Sequence, residues 1–182
     1  MKRLILFRHA KSSWDDPDLD DHARPLAPRG NRAAPAMAHW FAETKQLPAR
    51  VLCSDAVRTR QTWDRVAEVW DSLAGPLPDV GFHPGLYLAS PRRILGLVAQ
   101  DAGDADTVMV VGHNPGMHDL ARTLAVPGST KAHRRLAAKF PTAAAAVLEF
   151  DVDRWDELDA GQGRLAAFMR PKDLPDARER RL

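Results

Sequence analysis

Two arginines and two histidines stand out for where they fall in the chain. Arg8-His9 follows the apolar run Leu4–Phe7, Arg58 opens an amphipathic stretch just after Arg50–Cys53, and His113 follows the run Thr107–Val111. Taken singly, each has an ordinary reading. Arg8-His9 could be a strand end bonding the backbone, Arg58 a solvated first-turn arginine, and His113 a loop residue capping the next helix. Arg58 already departs from that reading, because a cation in a helix's first turn is unfavourable against the macrodipole unless an anion sits nearby. Brought to one place, the four side chains make a receptor for a tetrahedral dianion. Guanidinium forks match phosphate oxygens bidentately and stay charged. A histidine with a free ring nitrogen can attack phosphorus and hold the phosphoryl group covalently, while a second histidine donates to an equatorial oxygen. Phosphoryl transfer needs mostly placement and charge neutralisation, which this set offers without a metal.

Whether they meet depends on the elements that carry them. Short apolar runs read as strands at residues 4–7, 50–53 and 107–111, with a weak extended segment at Val80–Phe82. Between them, helical spacing predicts helices over about 28–45, 56–73 and 91–101, and another carried by Met117, Leu120, Ala121 and Leu124. Pro28 suits the first turn of the first helix, whereas Pro35 should kink or shorten it. Ser54-Asp55 supplies N-cap chemistry for the second, whose inward face includes Val66, Trp70 and Leu73. Val147–Phe150 and Leu165–Met169 read as an antiparallel pair across the turn Asp153–Gly163. The expected fold is α/β, a three-layer α/β/α arrangement with a mostly parallel central sheet and an antiparallel element near the C-terminus. Residues 1–182 read as one domain, with 171–182 a charged surface tail. Ligands of such sheets bind beyond the carboxyl ends of the strands, and three runs here end there in polar residues: Arg8-His9, Ser54 through Arg58, and His113-Asn114.

At these residues the sequence resembles the histidine phosphatase superfamily, and within it the small SixA-type phosphohistidine phosphatases. The motifs that carry the resemblance are Leu4 through Lys11, Arg24-Pro25-Leu26-Ala27-Pro28-Arg29-Gly30, Ser54 through Thr62, and Val111-Gly112-His113-Asn114-Pro115, spanning about residues 3 to 125. The resemblance implies His9 as the phosphoryl acceptor, with Arg8, Arg58 and His113 around the transferring group. Lys11, Ser12 and Asn114 are expected as further phosphate contacts, and Trp14 as a substrate contact. Ala10 replaces the glycine of the superfamily's Arg-His-Gly signature, a change the turn should tolerate if its φ is negative. Larger members carry a carboxylate that protonates an alcohol leaving group, but Phe82 through Ser90 contains no acid. That points to a phosphohistidine on a protein, such as a histidine phosphotransfer domain, with a small phosphorylated substrate or another phosphoprotein as the alternative. A phosphate-binding module without turnover is the rival outside enzymes, although a pure binder needs the arginines and not His9.

Composition excludes several other classes. The chain has 182 residues, 45% hydrophobic and 27% charged, with a formal net charge of +2, an ordinary globular balance too weakly basic to imply a nucleic-acid partner. Arg134-Arg135 and Arg178–Arg181 read as solvated faces. The lone cysteine, Cys53, can make neither an internal disulfide nor a zinc cage and reads as a small core residue. His113 and His118 are five apart without the glutamate of a zinc helix, so neither metal nor cofactor is expected. No apolar run approaches the ~20 residues of a membrane helix or the ~7–15 of a signal-peptide core, so a cytoplasmic chain without a membrane partner is expected.

Overall fold

The computed structural model describes residues 1–73 and 75–175. Six strands form one sheet: β1 (Lys2–Arg8), β2 (Arg50–Ser54), β3 (Asp79–His83), β4 (Thr107–Gly112), β5 (Ala145–Phe150) and β6 (Arg164–Met169). Their order is β3-β2-β4-β1-β5-β6. β1, β4, β2 and β3 run parallel, while β5 is antiparallel to β1 and β6 to β5. The expected α/β architecture, with its antiparallel C-terminal element, is what is found.

The uninterrupted apolar character of β1 has a direct cause: it is buried on both faces. Leu4 and Leu6 enter one core with Ile94, Leu97, Val98, Leu120 and Leu136 from the helices α3 (Pro91–Asp101), α4 (Gly116–Leu124) and α5 (Lys131–Ala138). Ile5 and Phe7 face the other, under α1 (Pro28–Glu43) and α2 (Val57–Ser72), with Met37, Phe41, Trp63 and Trp70. There Phe7 meets Phe41 edge-on at 5.2 Å, Trp63 meets Trp70 at 5.7 Å, and the Trp70 indole donates to the Ala38 carbonyl at 3.0 Å.

Several sequence expectations need correction. α1 continues past Pro35 to Glu43, so the proline does not shorten it; its missing N–H would have served Asn31, an exposed residue. Leu73 is not on the inward face of α2 but 52% exposed at its C-cap. The residue capping α2 is Ala56, without a side-chain bond; Ser54 lies two residues earlier, where its hydroxyl accepts from both the Ala56 N–H and His113. α5 lies where no element was expected; it spans only eight residues, of which Leu136 alone is buried. The charged stretch from residue 171 begins as a 3-10 turn, Pro171–Asp173, whose Asp173 bonds Arg170 and Arg135. Residues 176–182, including Arg178–Arg181, lie outside the described residues. No helix among the described residues is long and apolar enough to cross a membrane.

Candidate active site

The strand order delivers one rim. β1, β4 and β2 are parallel neighbours, so Arg8-His9, His113 and the segment leading to Arg58 all leave the sheet at the same edge. β5 begins at that edge and β6 ends there, since Phe7 pairs with Ala145 and Ala145 with Met169. The rim holds an open cleft of about 400 Å³, lined by Arg8, His9, Lys11, Ser12, Trp14, Arg58, His113 and Asn114, which is every residue expected from the sequence. Asp21, Leu88 and Thr142 also line it.

His9 is 6% exposed, and its ring chemistry follows from one hydrogen bond. Nδ1 lies 2.7 Å from the Ala10 carbonyl oxygen, which can only accept, so Nδ1 carries the proton and Nε2 keeps its lone pair. Burial pushes the imidazole's pKa down to about 3, with the Arg58 and Arg8 charges adding to the effect against the Ala10 bond. The backbone fixes the residue from both sides, with His9 N–H donating to Gly112 on β4 and Ala143 N–H donating to the His9 carbonyl, each at 3.0 Å. Ala10 N–H donates to Thr62 Oγ1 at 2.9 Å, and Thr62 in turn donates to the Arg58 carbonyl, tying the turn after His9 to α2.

Arg58, 4% exposed in the first turn of α2, donates from Nη1 to the Asp21 carbonyl (2.6 Å) and from Nη2 to Asp21 Oδ2 (2.9 Å). Nη2 also lies 3.2 Å from His113 Nδ1, which must therefore accept. His113 Nε2–H then donates to Ser54 Oγ at 2.8 Å. Burial first, and then the His9 and Arg58 charges, bring the His113 pKa down to about 3. Its ring stands 5.2 Å from that of His9 and 5.3 Å from Tyr87. Arg8 Nη1 and Asn114 Nδ2 both donate to the Phe140 carbonyl at 2.9 Å, leaving Arg8 Nε and Asn114 Oδ1 buried without a protein partner. Two guanidiniums, two neutral imidazoles and unmet polar atoms in one cleft suit a tetrahedral oxyanion.

The comparisons agree with this geometry. The family model described as histidine phosphatase superfamily (branch 1) matches residues 4–80. An uncharacterized protein of Mycobacterium tuberculosis is 34% identical over 167 residues, covering 91% of this chain and 99% of its own. Among solved structures, a protein assigned as the phosphohistidine phosphatase SixA of Nakamurella multipartitia is 32% identical, with a TM-score of 0.77 over 93% of this chain and 96% of its own. The chain belongs to the histidine phosphatase superfamily. The protein histidine phosphatase SixA complexed with tungstate is 26% identical, with a TM-score of 0.73 over 95% of this chain and 99% of its own. Membership supports phosphatase chemistry, and the likeness to SixA places this chain among the small members of the superfamily.

Against the superfamily's signature, Ala10 keeps a negative φ and is fully buried, so its methyl is accommodated. The residues that sequence reasoning missed are Asp21 and Tyr87. Asp21 Oδ2 accepts from Tyr87 Oη at 2.6 Å as well as from Arg58. Those two bonds hold the Asp21 carboxyl below its usual range, Tyr87 first, while burial and the same carboxylate push the Tyr87 phenol up. Asp21 sits in a loop with Asp15, Asp16, Asp18 and Asp20, and nothing in the spacing singles it out among them. His118, the other half of the nominal metal pair, donates from Nε2 to the Leu136 carbonyl at 2.6 Å, away from His113. Trp14 is 61% exposed at the rim, stacked 4.0 Å from the Arg24 guanidinium; the other four tryptophans and Cys53 are core.

Proposed function

We propose that the protein is a metal-independent phosphatase that works through a phosphorylated His9 and removes phosphate from phosphohistidine on a protein. The observation that carries the reading is the His9 tautomer: Nδ1–H is committed to Ala10, and a neutral ring presents the Nε2 lone pair to an arginine-lined cleft. Nε2 attacks phosphorus as the bond to the leaving group breaks. Water then attacks phosphorus, the P–Nε2 bond breaks, and phosphate leaves with His9 neutral again. Arg8 and Arg58 neutralise the equatorial oxygens. His113, which accepts from Arg58, becomes a donor when it takes a proton as the anion arrives.

The leaving group separates the substrate classes. An alcohol ester must expel an oxygen whose conjugate acid is about as weak as water, near 15.7. Imidazole leaves with a conjugate acid of only about 6.5. Asp21 is held ionised and Tyr87 has its proton engaged by Asp21, so neither stands ready to protonate an alkoxide. Phosphohistidine expels a neutral imidazole once solvent has protonated the ring nitrogen far from phosphorus, which happens near neutral pH, so it needs no placed donor. The tungstate bound by the SixA relative is a tetrahedral oxyanion of the kind this cleft suits.

Quenched turnover of a labelled substrate tests the proposal. Phosphate should be trapped on His9 as an acid-labile, alkali-stable adduct, and His9→Ala should trap none. An acid-stable ester, or turnover undiminished in His9→Ala, overturns it.

A further inference from the structure

Beside the cleft lies a second cavity of about 210 Å³, lined by Lys11, Arg29, Lys139, Arg170 and Lys172 with Thr142 and two prolines. Lys11 and Thr142 line both, so the two are contiguous. Five cations from five segments meet here: the loop after β1, the first turn of α1, the end of α5, the end of β6 and the 3-10 turn beyond it. Arg170 is occupied by Asp173, through Nε–Oδ2 at 2.5 Å and Nη2–Oδ1 at 3.0 Å, and Asp173 also takes Arg135. Among the described residues no carboxylate pairs with Lys11, Arg29, Lys139 or Lys172.

The approach is built into the backbone. Gly30 lets α1 press against the Lys11 backbone, where a Cβ would collide with the Lys11 carbonyl oxygen, and Ala27 N–H donates to that oxygen at 2.8 Å. The segment Arg24 through Gly30 thus sets Arg29 beside Lys11. Arg29 also stands in a first turn that holds no acid, adding its charge to the positive end of the helix dipole. Like charges gathered this way repel one another until an anion arrives. Arg29, Lys139 and Lys172 are exposed, so the positive surface continues outward past the cavity. Lysines predominate over bidentate arginine forks, which suits acidic side chains at variable positions more than a fixed polyphosphate.

We propose that this cavity is a docking subsite for acidic side chains flanking the phosphohistidine of the protein substrate, an inference that rests on the function proposed above. The test measures binding, so it does not depend on turnover. Fluorescent peptides carrying a stable phosphoryl-triazole mimic of phosphohistidine, flanked by aspartates or by serines, are titrated into the full chain by anisotropy. The aspartate peptide should bind about tenfold tighter at low salt, the sum of a few screened ion pairs, and the advantage should vanish at high salt. Arg29→Gln/Lys139→Gln/Lys172→Gln should lose the preference, and Lys139→Glu/Lys172→Glu should turn it toward a lysine-flanked peptide; thermal unfolding checks that both variants fold. Equal binding of the two peptides by the wild type, or a preference that survives the substitutions, overturns the proposal. A small bisphosphate competing better than the aspartate peptide assigns the cavity to a small molecule and overturns it as well. Absence of phosphohistidine hydrolysis beside a clear aspartate preference fails the functional reading and leaves the subsite standing.

Discussion

Two histidines buried neutral in the active site make the fold sensitive to mild acid. Both hold off protonation to about pH 3 in the folded chain, whereas an unfolded histidine titrates near 6.5. Between those values the unfolded chain binds more protons, so stability rises with pH there and is lost as pH falls below about 6.5. From about pH 6.5 to about pH 5 each histidine contributes about 2 kcal/mol of that loss. The two face each other, and charge on His9 further disfavours charge on His113. The pair therefore titrates as a unit, with a combined loss of about 4 kcal/mol. At a urea m-value of about 2–3 kcal/mol per molar, the midpoint should move down by about 1–2 M between neutral pH and pH 5. His9→Asn should remove about half of that slope. Saturating inorganic phosphate should restore stability at pH 5, since a bound anion favours the charged imidazoles. A midpoint that does not move over this range, or a slope equal in wild type and in His9→Asn/His113→Asn, refutes the claim that these rings are neutral, and with it the basis for calling His9 a nucleophile.

Arg58→Ala should lower kcat/KM by about 10²–10³, the size expected for one preorganised donor to a developing anion. Arg58→Lys should recover part of that, and EDTA should leave the wild-type rate unchanged. Across a leaving-group series, log k should fall steeply as leaving-group pKa rises, with aryl phosphates ahead of phosphoserine by about 10²–10⁴. A flat series that steepens in Asp21→Asn would identify Asp21 as a proton donor after all. Gly30→Ala should destabilise the chain by about 1–3 kcal/mol in denaturant unfolding, because the clash falls on the Lys11 backbone, which cannot rotate aside.

The candidate rim was legible because its signals are local. An apolar strand that ends in Arg8-His9 or in His113 announces itself within a few residues, and parallel strands then bring such ends together whatever their separation in sequence. Contacts that depend on tertiary meeting left no such mark. Asp21 reaches Tyr87 across 66 residues, and its four neighbouring aspartates have the same chemistry and solvent-facing alternatives. Ser54 read as a helix cap because caps are local, but the cap position falls on Ala56, and the Ser54 hydroxyl also bonds a buried histidine 59 residues away. α5 escaped for a third reason, since at eight residues with Leu136 the one large apolar side chain it is too short for a repeating pattern to stand out.

The position of β1 in the sheet bears on which parts of the molecule can open separately. It is paired on both sides, and the His9 amide itself donates across to β4. Fluctuations that release an amide to solvent start at edges and loops, and the strand carrying His9 belongs with the last unit to open. Exchange at Phe7, Arg8 and His9 should then track global unfolding. β6, at an edge, leads directly to Arg170 and Lys172, and it can detach at lower free energy. As temperature rises, a partly opened population should form that still hydrolyses a phosphorylated substrate but has lost its choice of partner, so selectivity melts before catalysis does.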